Sequence, residues 1–592
     1  MCGKEQENSV SRQGNLVRGL ARSVACSLVA ASPLVFAQPV PQVAQLRPDA
    51  GQLLEQQRER LPEPARSDKQ VLPREEQPRP AMRGSASLKV TVKQFRISGN
   101  RIYSEADLQP ALKDSVGKEL DFEGLLEAAN TVRAYYRANG YFLAQAYLPA
   151  QQIKNGVVEI AVLEGRLGKV ELKPDATVRL RPDFARGVLD QHLSEGDPIT
   201  EVGLERPLLL LSDLPNVVVS SEIGPSTKSI GAADLRVNLK DSGSLISGYA
   251  DIDNAGNRFT GEMRTGVNVN ANNLSGYGDQ LSVRATLTNE RMSFVRAAIS
   301  APVGYSGTRL GISYATFAYS LQRDFAALQA HGEGSVTSIY GLYPFIRTRN
   351  ANLIGQVSYE NKMLKDRIDT TSTIEDRVIN TIKLGMVGDA RDRLFGGALN
   401  SFSVTYTEGT VGLNPIALSI ADQGATGFKT QGKFAKANFD VRRLQLITEN
   451  VNMLFALSGQ YVDKNMSSAE KMSLGGPNGV RGYPAGQGTG DQGFIFNTEL
   501  RYNVPKFQLL SGDVTFLGFY DAGRVKINYS PLASATGPNF AGLSSVGVGM
   551  SIGKDNDFLL KTSVAWRGEN DTPDSDVVRR EPRVWFQAIK WF

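Results

Sequence analysis

From residue 242 to the end of the chain, apolar residues alternate with small or polar residues at a period of two. Four segments show this alternation most clearly: Leu281–Thr288, Phe496–Tyr502, Val546–Ile552 and Leu560–Trp566. Because successive side chains of a β-strand point to opposite faces, the pattern predicts strands with one apolar face and one face of other character. Turn-forming clusters such as Asp253–Asn257 separate the alternating runs. We therefore expect a large antiparallel β-structure in this part of the chain.

Sixteen candidate strands can be counted in this region. They lie near residues 243–252, 260–273, 278–288, 291–302, 306–319, 333–347, 350–364, 376–390, 399–408, 430–443, 449–463, 492–503, 513–521, 543–553, 558–567 and 583–592. A strand that crosses a membrane at a tilt needs about ten residues, and a turn or loop averages about twelve. Sixteen such units need about 352 residues, and 351 are available between residues 242 and 592.

The polar face of these strands distinguishes a membrane barrel from a β-sandwich or a propeller, whose inward face would carry large apolar residues. Asn497, Glu499 and Arg501 share one face of their strand, which suits a water-filled lumen. The chain ends in Trp591 and Phe592, an aromatic terminus typical of bacterial barrel proteins, although Lys590 interrupts the row that leads to it. The sequence therefore predicts a transmembrane β-barrel of about sixteen antiparallel strands.

Residues 1–37 are typical of a secretory signal peptide. Basic residues precede an apolar stretch from Val24 to Val35, and small residues at positions 35 and 37 suit cleavage before Gln38. About twelve apolar residues are too few to span a bilayer. Cys2 and Cys26 would leave with this segment, which excludes disulfides, thiolate metal sites and cysteine nucleophiles from the mature chain.

The segment 38–62 contains a predicted helix, Ala50–Arg60, in which Leu53 and Leu54 are the only apolar contacts available. Residues 63–86 are rich in proline and predict an extended linker. The alternative is a disordered leader that lacks a stable helix.

Residues 87–166 and 167–241 predict two successive α/β units with the same order of elements, β-α-α-β-β. In the first unit we expect a strand over Val90–Ile97, a helix that opens at Ser104, a helix over Phe122–Tyr136, and strands at Tyr141–Leu148 and Val157–Leu163. In the second we expect a strand near Val170, helices over Arg181–Leu193 and Ile199–Leu211, and strands at Val217–Ile223 and Ala233–Leu239.

A glycine-rich loop over residues 465–490 follows the eleventh candidate strand and contains Val480, Arg481, Gly482 and Tyr483. Phe519, Asp521 and Gly523 share one face of a later strand, and an aspartate on that face points to the lumen rather than to lipid. We therefore predict an ion pair between Arg481 and Asp521, with Glu499 as the alternative partner. The competing interpretation is a surface loop with an exposed arginine.

Other classes of function find little support. The chain has 66 Lys and Arg against 61 Asp and Glu, scattered rather than in blocks, so nucleic acid is not an expected partner. His192 and His331 are the only histidines, and a catalytic triad would need one of them beside a nucleophile. No phosphate-binding loop is present. We expect neither an enzyme nor a cofactor or metal site.

These motifs together resemble the outer-membrane transporters of two-partner secretion (TpsB proteins). The segment with Val480, Arg481, Gly482 and Tyr483 matches their VRGY tetrad, and Phe519, Asp521 and Gly523 match their F-x-D-x-G strand motif. The resemblance covers nearly the whole mature chain. It implies a plug helix at Leu53 and Leu54, two POTRA domains at 87–166 and 167–241, and a 16-stranded barrel over 242–592.

The resemblance also implies a function, a location and partners. A transporter of this kind exports a large β-helical exoprotein in unfolded form, by the route called two-partner or type Vb secretion. The POTRA domains would bind the exoprotein in the periplasm by β-augmentation, while the barrel lies in outer-membrane lipid after insertion by the barrel-assembly machinery. We expect a monomer. A barrel-assembly-type insertase and a general porin are the alternative functions.

Overall fold

The computed structural model describes residues 47–57, 89–226, 229, 231–533, 537–568 and 581–592. The predicted signal peptide at 1–37 and the linker at 63–86 lie outside these residues. Helix α1 spans Ala50–Gln56, so the part of the predicted helix beyond Gln57 also lies outside them. Asp49 begins α1, because its carboxylate accepts a hydrogen bond from the Gln52 backbone N–H at 2.9 Å.

The first α/β unit has a three-stranded sheet and two main helices. Its elements are β1 (Val90–Thr91), β2 (Gln94–Ser98), α2 (Glu105–Leu112), β3 (Glu119–Leu120), α3 (Phe122–Ala138), β4 (Gln145–Tyr147) and β5 (Val157–Leu163). The expectation of one continuous first strand is wrong. The chain changes partner at this point, because Val92 bonds to Lys118 and Gly117, whereas the Lys93 and Gln94 N–H groups both donate to the Gly156 carbonyl.

The second α/β unit repeats this arrangement. It consists of β6 (Arg166–Pro174), α4 (Pro182–His192), α5 (Glu201–Ser212), β7 (Val217–Pro225) and β8 (Ala232–Asp241). In both units the strand that is last in sequence lies at the centre of the sheet, parallel to the first strand and antiparallel to the other. The helices of each unit cover one face of its sheet with apolar side chains. The internal repeat is therefore a repeat of topology.

The rest of the chain forms a closed barrel of sixteen antiparallel strands. Its first eleven strands are β9 (Ile246–Asp253), β10 (Arg264–Asn272), β11 (Gln280–Thr288), β12 (Met292–Pro302), β13 (Arg309–Ser320), β14 (Ala330–Arg347), β15 (Ala351–Ile368), β16 (Thr373–Asp392), β17 (Ala398–Asn414), β18 (Gly432–Leu446) and β19 (Val451–Val462). After the short strands β20 (Met472–Ser473) and β21 (Thr489–Gly490), the barrel continues with β22 (Gln492–Leu509), β23 (Gly512–Lys526), β24 (Phe540–Lys554), β25 (Phe558–Arg567) and β26 (Arg583–Trp591). Pairing of β26 with β9 closes the barrel. Between β17 and β18 the connecting loop carries helix α6 (Ile416–Gln423).

The two faces of the barrel wall differ as the alternation predicts. On β13, Leu310, Ile312 and Tyr314 are exposed on the outside. Lys590 does not disturb the outward row of β26, because it lies at the end of the strand and pairs with Asp557 in the turn between β24 and β25. Within the described residues, no helix is both long enough and apolar enough to span a bilayer.

Several strands extend further than the alternation predicts. β17 was expected at residues 399–408 but continues to Asn414. The outward residues beyond Tyr406 include Glu408, Thr410 and Asn414, so the hydrogen-bonded ladder runs on past the apolar band. Beyond Tyr406 the outward residues face water and are polar. Apolar residues therefore no longer alternate with polar ones, and the sequence pattern ends although the strand continues.

The second α/β unit docks on the turns at one end of the barrel. Arg347, the last residue of β14, forms two bonds to the Asp213 carboxylate, at 2.6 and 2.7 Å. The Phe184 ring packs against Tyr277 and Tyr305, which lie in two turns at the same end. These contacts fix which end of the lumen faces the α/β units.

Candidate functional site in the barrel lumen

The lumenal loop, residues 463–491, connects β19 to β22 and folds back inside the barrel. Its tip is buried, since Val480 is 0% exposed and Tyr483 is 2% exposed. Val480 and Leu474 pack with wall residues that include Ile495 and Leu543. The predicted tetrad therefore lies against the inner wall, and the alternative of a surface loop is wrong.

The structure brings Arg481 and Asp521 together. The Arg481 Nε and Nη2 atoms donate to the two Asp521 carboxylate oxygens at 2.8 and 2.7 Å, and the Arg481 backbone N–H donates to the same carboxylate at 3.1 Å. Asp521 is 0% exposed. A two-pronged contact of this kind matches the planar guanidinium to the carboxylate, which a lysine could not reproduce.

Glu499, the alternative partner, also contacts Arg481. The Arg481 Nη1 atom donates to Glu499 at 2.7 Å, and Arg501 donates to the other Glu499 oxygen. The guanidinium carbon lies 3.4 Å from the centre of the Phe519 ring, a cation–π contact. The arginine is thus held by two carboxylates and an aromatic face at once.

Two glycines of the motifs are required by close approach rather than by turns. A Cβ at Gly482 would lie 2.9 Å from the Ser545 Cβ and 3.3 Å from the Arg567 Cα. A Cβ at Gly523 would lie 2.9 Å from Leu474 Cδ2, so this glycine leaves room for a side chain of the lumenal loop rather than for Arg481 itself. Gly523 accommodates the base of the loop.

Sequence reasoning missed the contact between the loop tip and the last strand. The Trp585 indole N–H donates to the Arg481 carbonyl oxygen at 2.7 Å. Trp585 is an inward-facing residue of β26, which is the strand that closes the barrel. Its inward parity could be read from the sequence, but its partner 104 residues away could not.

A second anchor holds the first half of the lumenal loop. Glu470 is 1% exposed and contacts Lys362 of β15 at 2.6 Å and Lys436 of β18 at 2.7 Å. Burial alone would raise the pKa of Glu470, but the two ammonium groups outweigh it and hold that pKa well below the ordinary value. Sequence analysis did not identify this anchor, because its three residues lie far apart in the chain.

Helix α1 occupies the lumen beside the lumenal loop. Asp49 contacts Arg377 of β16 at 2.7 Å, and the Ala50 N–H donates to Asp366 of β15 at 2.9 Å. Leu53 is 0% exposed and Leu54 is partly buried. A Cβ at Gly51 would lie 2.4 Å from the Ser468 hydroxyl oxygen, so the helix touches both the wall and the loop.

The two histidines lie apart from this site and from each other. His192 is at the end of α4, where its Nδ1 atom lies 3.0 Å from the Val188 carbonyl oxygen. His331 is on the outer face of β14, with Asp369 at 3.8 Å. Neither residue lines the lumen.

Protein-family models match both the barrel and the first α/β unit of this chain. The model of the haemolysin secretion/activation proteins ShlB, FhaC and HecB matches residues 231–552, more than half of the chain. The chain belongs to this family. The model of the ShlB-type POTRA domain matches residues 90–165, the first α/β unit.

Similar proteins with known names are transporters. The chain is 30% identical over 494 residues to the heme/hemopexin transporter protein HuxB of Haemophilus influenzae, covering 82% of this chain and 84% of HuxB. It is 24% identical to the outer membrane transporter CdiB of Dickeya dadantii, over 74% and 76% of the two chains. The solved structure of CdiB from Escherichia coli matches with a TM-score of 0.67 at 18% identity, covering 87% and 93%.

This member of the ShlB/FhaC/HecB family is an outer-membrane transporter of two-partner secretion. Its POTRA domains, the two α/β units, lie in the periplasm. The end of the barrel on which the second POTRA domain docks is therefore the periplasmic end, and the opposite end opens to the outside. The chain acts with a secreted exoprotein, as the transporters of this family do.

Proposed function

We propose that the chain exports a large β-helical exoprotein, which crosses the lumen in unfolded form after α1 has left it. The observation that carries this proposal is the unequal anchoring of the two lumenal segments. α1 is seven residues long and is held by the Asp49–Arg377 pair, by the hydrogen bond to Asp366 and by the burial of Leu53.

The lumenal loop is attached at two separate places, and each attachment is a buried ion-pair network. Glu470 bridges two lysines of the wall, and Arg481 bridges Asp521 and Glu499. Loss of one partner from such a buried network typically costs about 3–5 kcal/mol. The loop has two such networks, whereas α1 is held to the wall by the Asp49–Arg377 ion pair. The helix therefore leaves the lumen more easily than the loop. In this mechanism the loop stays on the wall and shapes the channel.

Entry of the exoprotein would begin at the POTRA domains. β7 is a nine-residue strand at the edge of the second POTRA sheet, and an extended segment could add to it by main-chain hydrogen bonds. A cavity of about 570 Å³ lies between this domain and the barrel mouth. Phe184 and Val188 line it on the POTRA side, and Arg309 and Ser401 line it on the barrel side. It leads from helices α4 and α5 of this domain to the lumen.

A general porin and a barrel-assembly insertase are less well supported. A porin would need neither two POTRA domains nor a helix inside the lumen. An insertase would share the barrel and the POTRA fold, but the family model that matches the barrel is that of secretion proteins. We further propose that the chain works as a monomer in outer-membrane lipid, depends on the barrel-assembly machinery for insertion, and catalyses no reaction.

A crosslink between α1 and the lumenal loop tests the exit of the helix. Asp49→Cys with Ser468→Cys would place two thiols near each other, because both native side chains accept a hydrogen bond from the Arg377 Nη1 atom. The chain is co-expressed with its exoprotein, and release of the exoprotein into the medium is measured with and without a short thiol-specific crosslinker. Crosslinking should lower release at least about tenfold, whereas Asp49→Cys alone should secrete normally under the same treatment. Equal release from both would contradict helix exit.

A further inference from the structure

The outer end of the lumen carries a band of inward-facing apolar side chains. We call six of them the apolar collar: Phe294, Phe317, Leu364, Ile379, Phe434 and Val462. They belong to six strands between β12 and β19, and each is at most 9% exposed. Each lies in the half of its strand that is remote from the POTRA domains.

The collar contrasts with the wall directly below it. On β13 an inward residue nearer the periplasm is Ser313, and on β19 it is Ser458. Thr405 occupies the same inner face of β17. Inward residues of a water-filled barrel are ordinarily polar. A band of large apolar side chains on that face therefore needs something to cover it.

Glycines on neighbouring strands hold two of the three aromatic members of the collar, Phe317 and Phe434, against the wall. A Cβ at Gly409 would lie 2.6 Å from the Phe434 ring, and a Cβ at Gly334 would overlap the Phe317 ring. The rings thus lie along the wall instead of filling the lumen. They leave room for a chain to pass.

In this structure α1 and the lumenal loop cover the collar together, since Met466 and Ala469 of the loop belong to the same buried cluster. Ala50 and Leu53 belong to the same continuous buried cluster as the six collar residues, and both are 0% exposed. The occupant is thus an aliphatic side chain carried on a polar backbone segment. An extended polypeptide with an apolar side chain presents the same chemistry at the same level of the lumen.

We propose that the apolar collar binds apolar side chains of the exoprotein as it passes through the outer end of the lumen, in the place that Leu53 vacates. This inference rests on the proposed exit of α1. An apolar residue of the passing chain is transferred out of water at the collar, whereas the polar wall below offers no such gain. The collar would retain the chain and narrow the open channel around it.

Single-channel recording in planar lipid bilayers tests this proposal with the full mature chain. Leu53→Glu opens the channel, because an unpaired carboxylate is unfavourable inside an apolar cluster. The probes are two 20-residue extended peptides added at the POTRA side, one with leucines at intervals and one with serines at the same places. The leucine peptide should block the channel for at least about tenfold longer than the serine peptide.

Variants of the collar test whether the difference between the blocking times of the two peptides arises at the collar. Phe317→Ser with Phe434→Ser, in the Leu53→Glu background, should bring the two blocking times to within about twofold of each other. Tyr340→Ser is the matched control, since Tyr340 is an inward aromatic residue of β14 that lies on Gly311, nearer the periplasm. It should leave the difference intact. Retention of normal heat-modifiability on gels shows that each barrel has folded.

The unfavourable outcomes are distinguishable. Equal blocking times for the two peptides in Leu53→Glu would overturn the collar and leave helix exit standing. The collar is overturned in the same way if its variants keep the full difference between the peptides. A Leu53→Glu channel that stays closed would contradict helix exit itself, and the collar with it.

Discussion

Arg481→Ala should release the tip of the lumenal loop from the wall, and the effect can be estimated from the contacts. The substitution removes the two side-chain bonds to Asp521, which is 0% exposed, and the bond to Glu499. Glu499 keeps Arg501, and Asp521 keeps hydrogen bonds from Asn497 and Ser545 but no cation among these contacts. Leaving one charge of a buried pair uncompensated costs about 3–5 kcal/mol.

The loss of docking energy should appear as faster chemical labelling of a cysteine placed at the loop tip. Because each 1.4 kcal/mol is a factor of about ten in an equilibrium constant, the open tip should become more populated by about a hundredfold to a few thousandfold. Val480→Cys supplies the probe, since Val480 is 0% exposed when the tip is docked and both native cysteines lie in the predicted signal peptide. The rate of maleimide labelling follows the open population when opening is fast.

The control is Arg524→Ala in the same Val480→Cys background. Arg524 belongs to the same strand as Asp521, but it faces outward and lies against the Phe540 ring. Its removal should change the labelling rate by less than about threefold, the effect expected of an exposed charge. If Arg481→Ala also stays within that range, the Arg481 network does not hold the tip and the reasoning fails.

Three further predictions concern the other anchors and the POTRA domains. Trp585→Phe should raise labelling of Val480→Cys about fivefold, the effect of one lost hydrogen bond; no change would remove Trp585 from the tip's contacts. Glu470→Gln should lower the thermal stability of the barrel at neutral pH, measured by heat-modifiability. Because the folded pKa of Glu470 is depressed, its contribution is full above the ordinary value of 4.5 and is lost as the pH falls below it. The difference from the unsubstituted chain should therefore narrow in acid, and a gap that widens would contradict the assigned charge state. Deletion of residues 87–241 should stop exoprotein release while the barrel still inserts, and continued release would exclude recognition by the POTRA domains.

Much of the barrel could be predicted because one physical rule repeats along it. Alternation located all sixteen strands, and the parity of Asp521 identified its lumenal face before any contact was known. The ends of strands were harder to predict. β17 continues to Asn414 because its last residues face water on the outside too, which removes the contrast on which the prediction relied.

Contacts between residues that are far apart in the chain could not be predicted from the sequence. Glu470 contacts Lys362, which lies 108 positions away in the chain. The residues around each of them give no indication of this pairing. The Arg481–Asp521 pair was accessible because two short motifs limited the choice of partners. Arg501 was visible as a lumenal residue, but its bond to Glu499 depends on side-chain geometry within one strand.

The contacts of Arg481 also constrain the order in which the protein assembles. Among the residues that the structure describes, the side chains that contact Arg481 all follow it in the chain, from Glu499 at 18 positions to Trp585 at 104 positions. The tip cannot reach its full set of contacts until β26, the strand that closes the barrel by pairing with β9, has joined the wall. Docking of the loop is therefore a late step of biogenesis, and a docked tip marks a barrel whose circumference is complete.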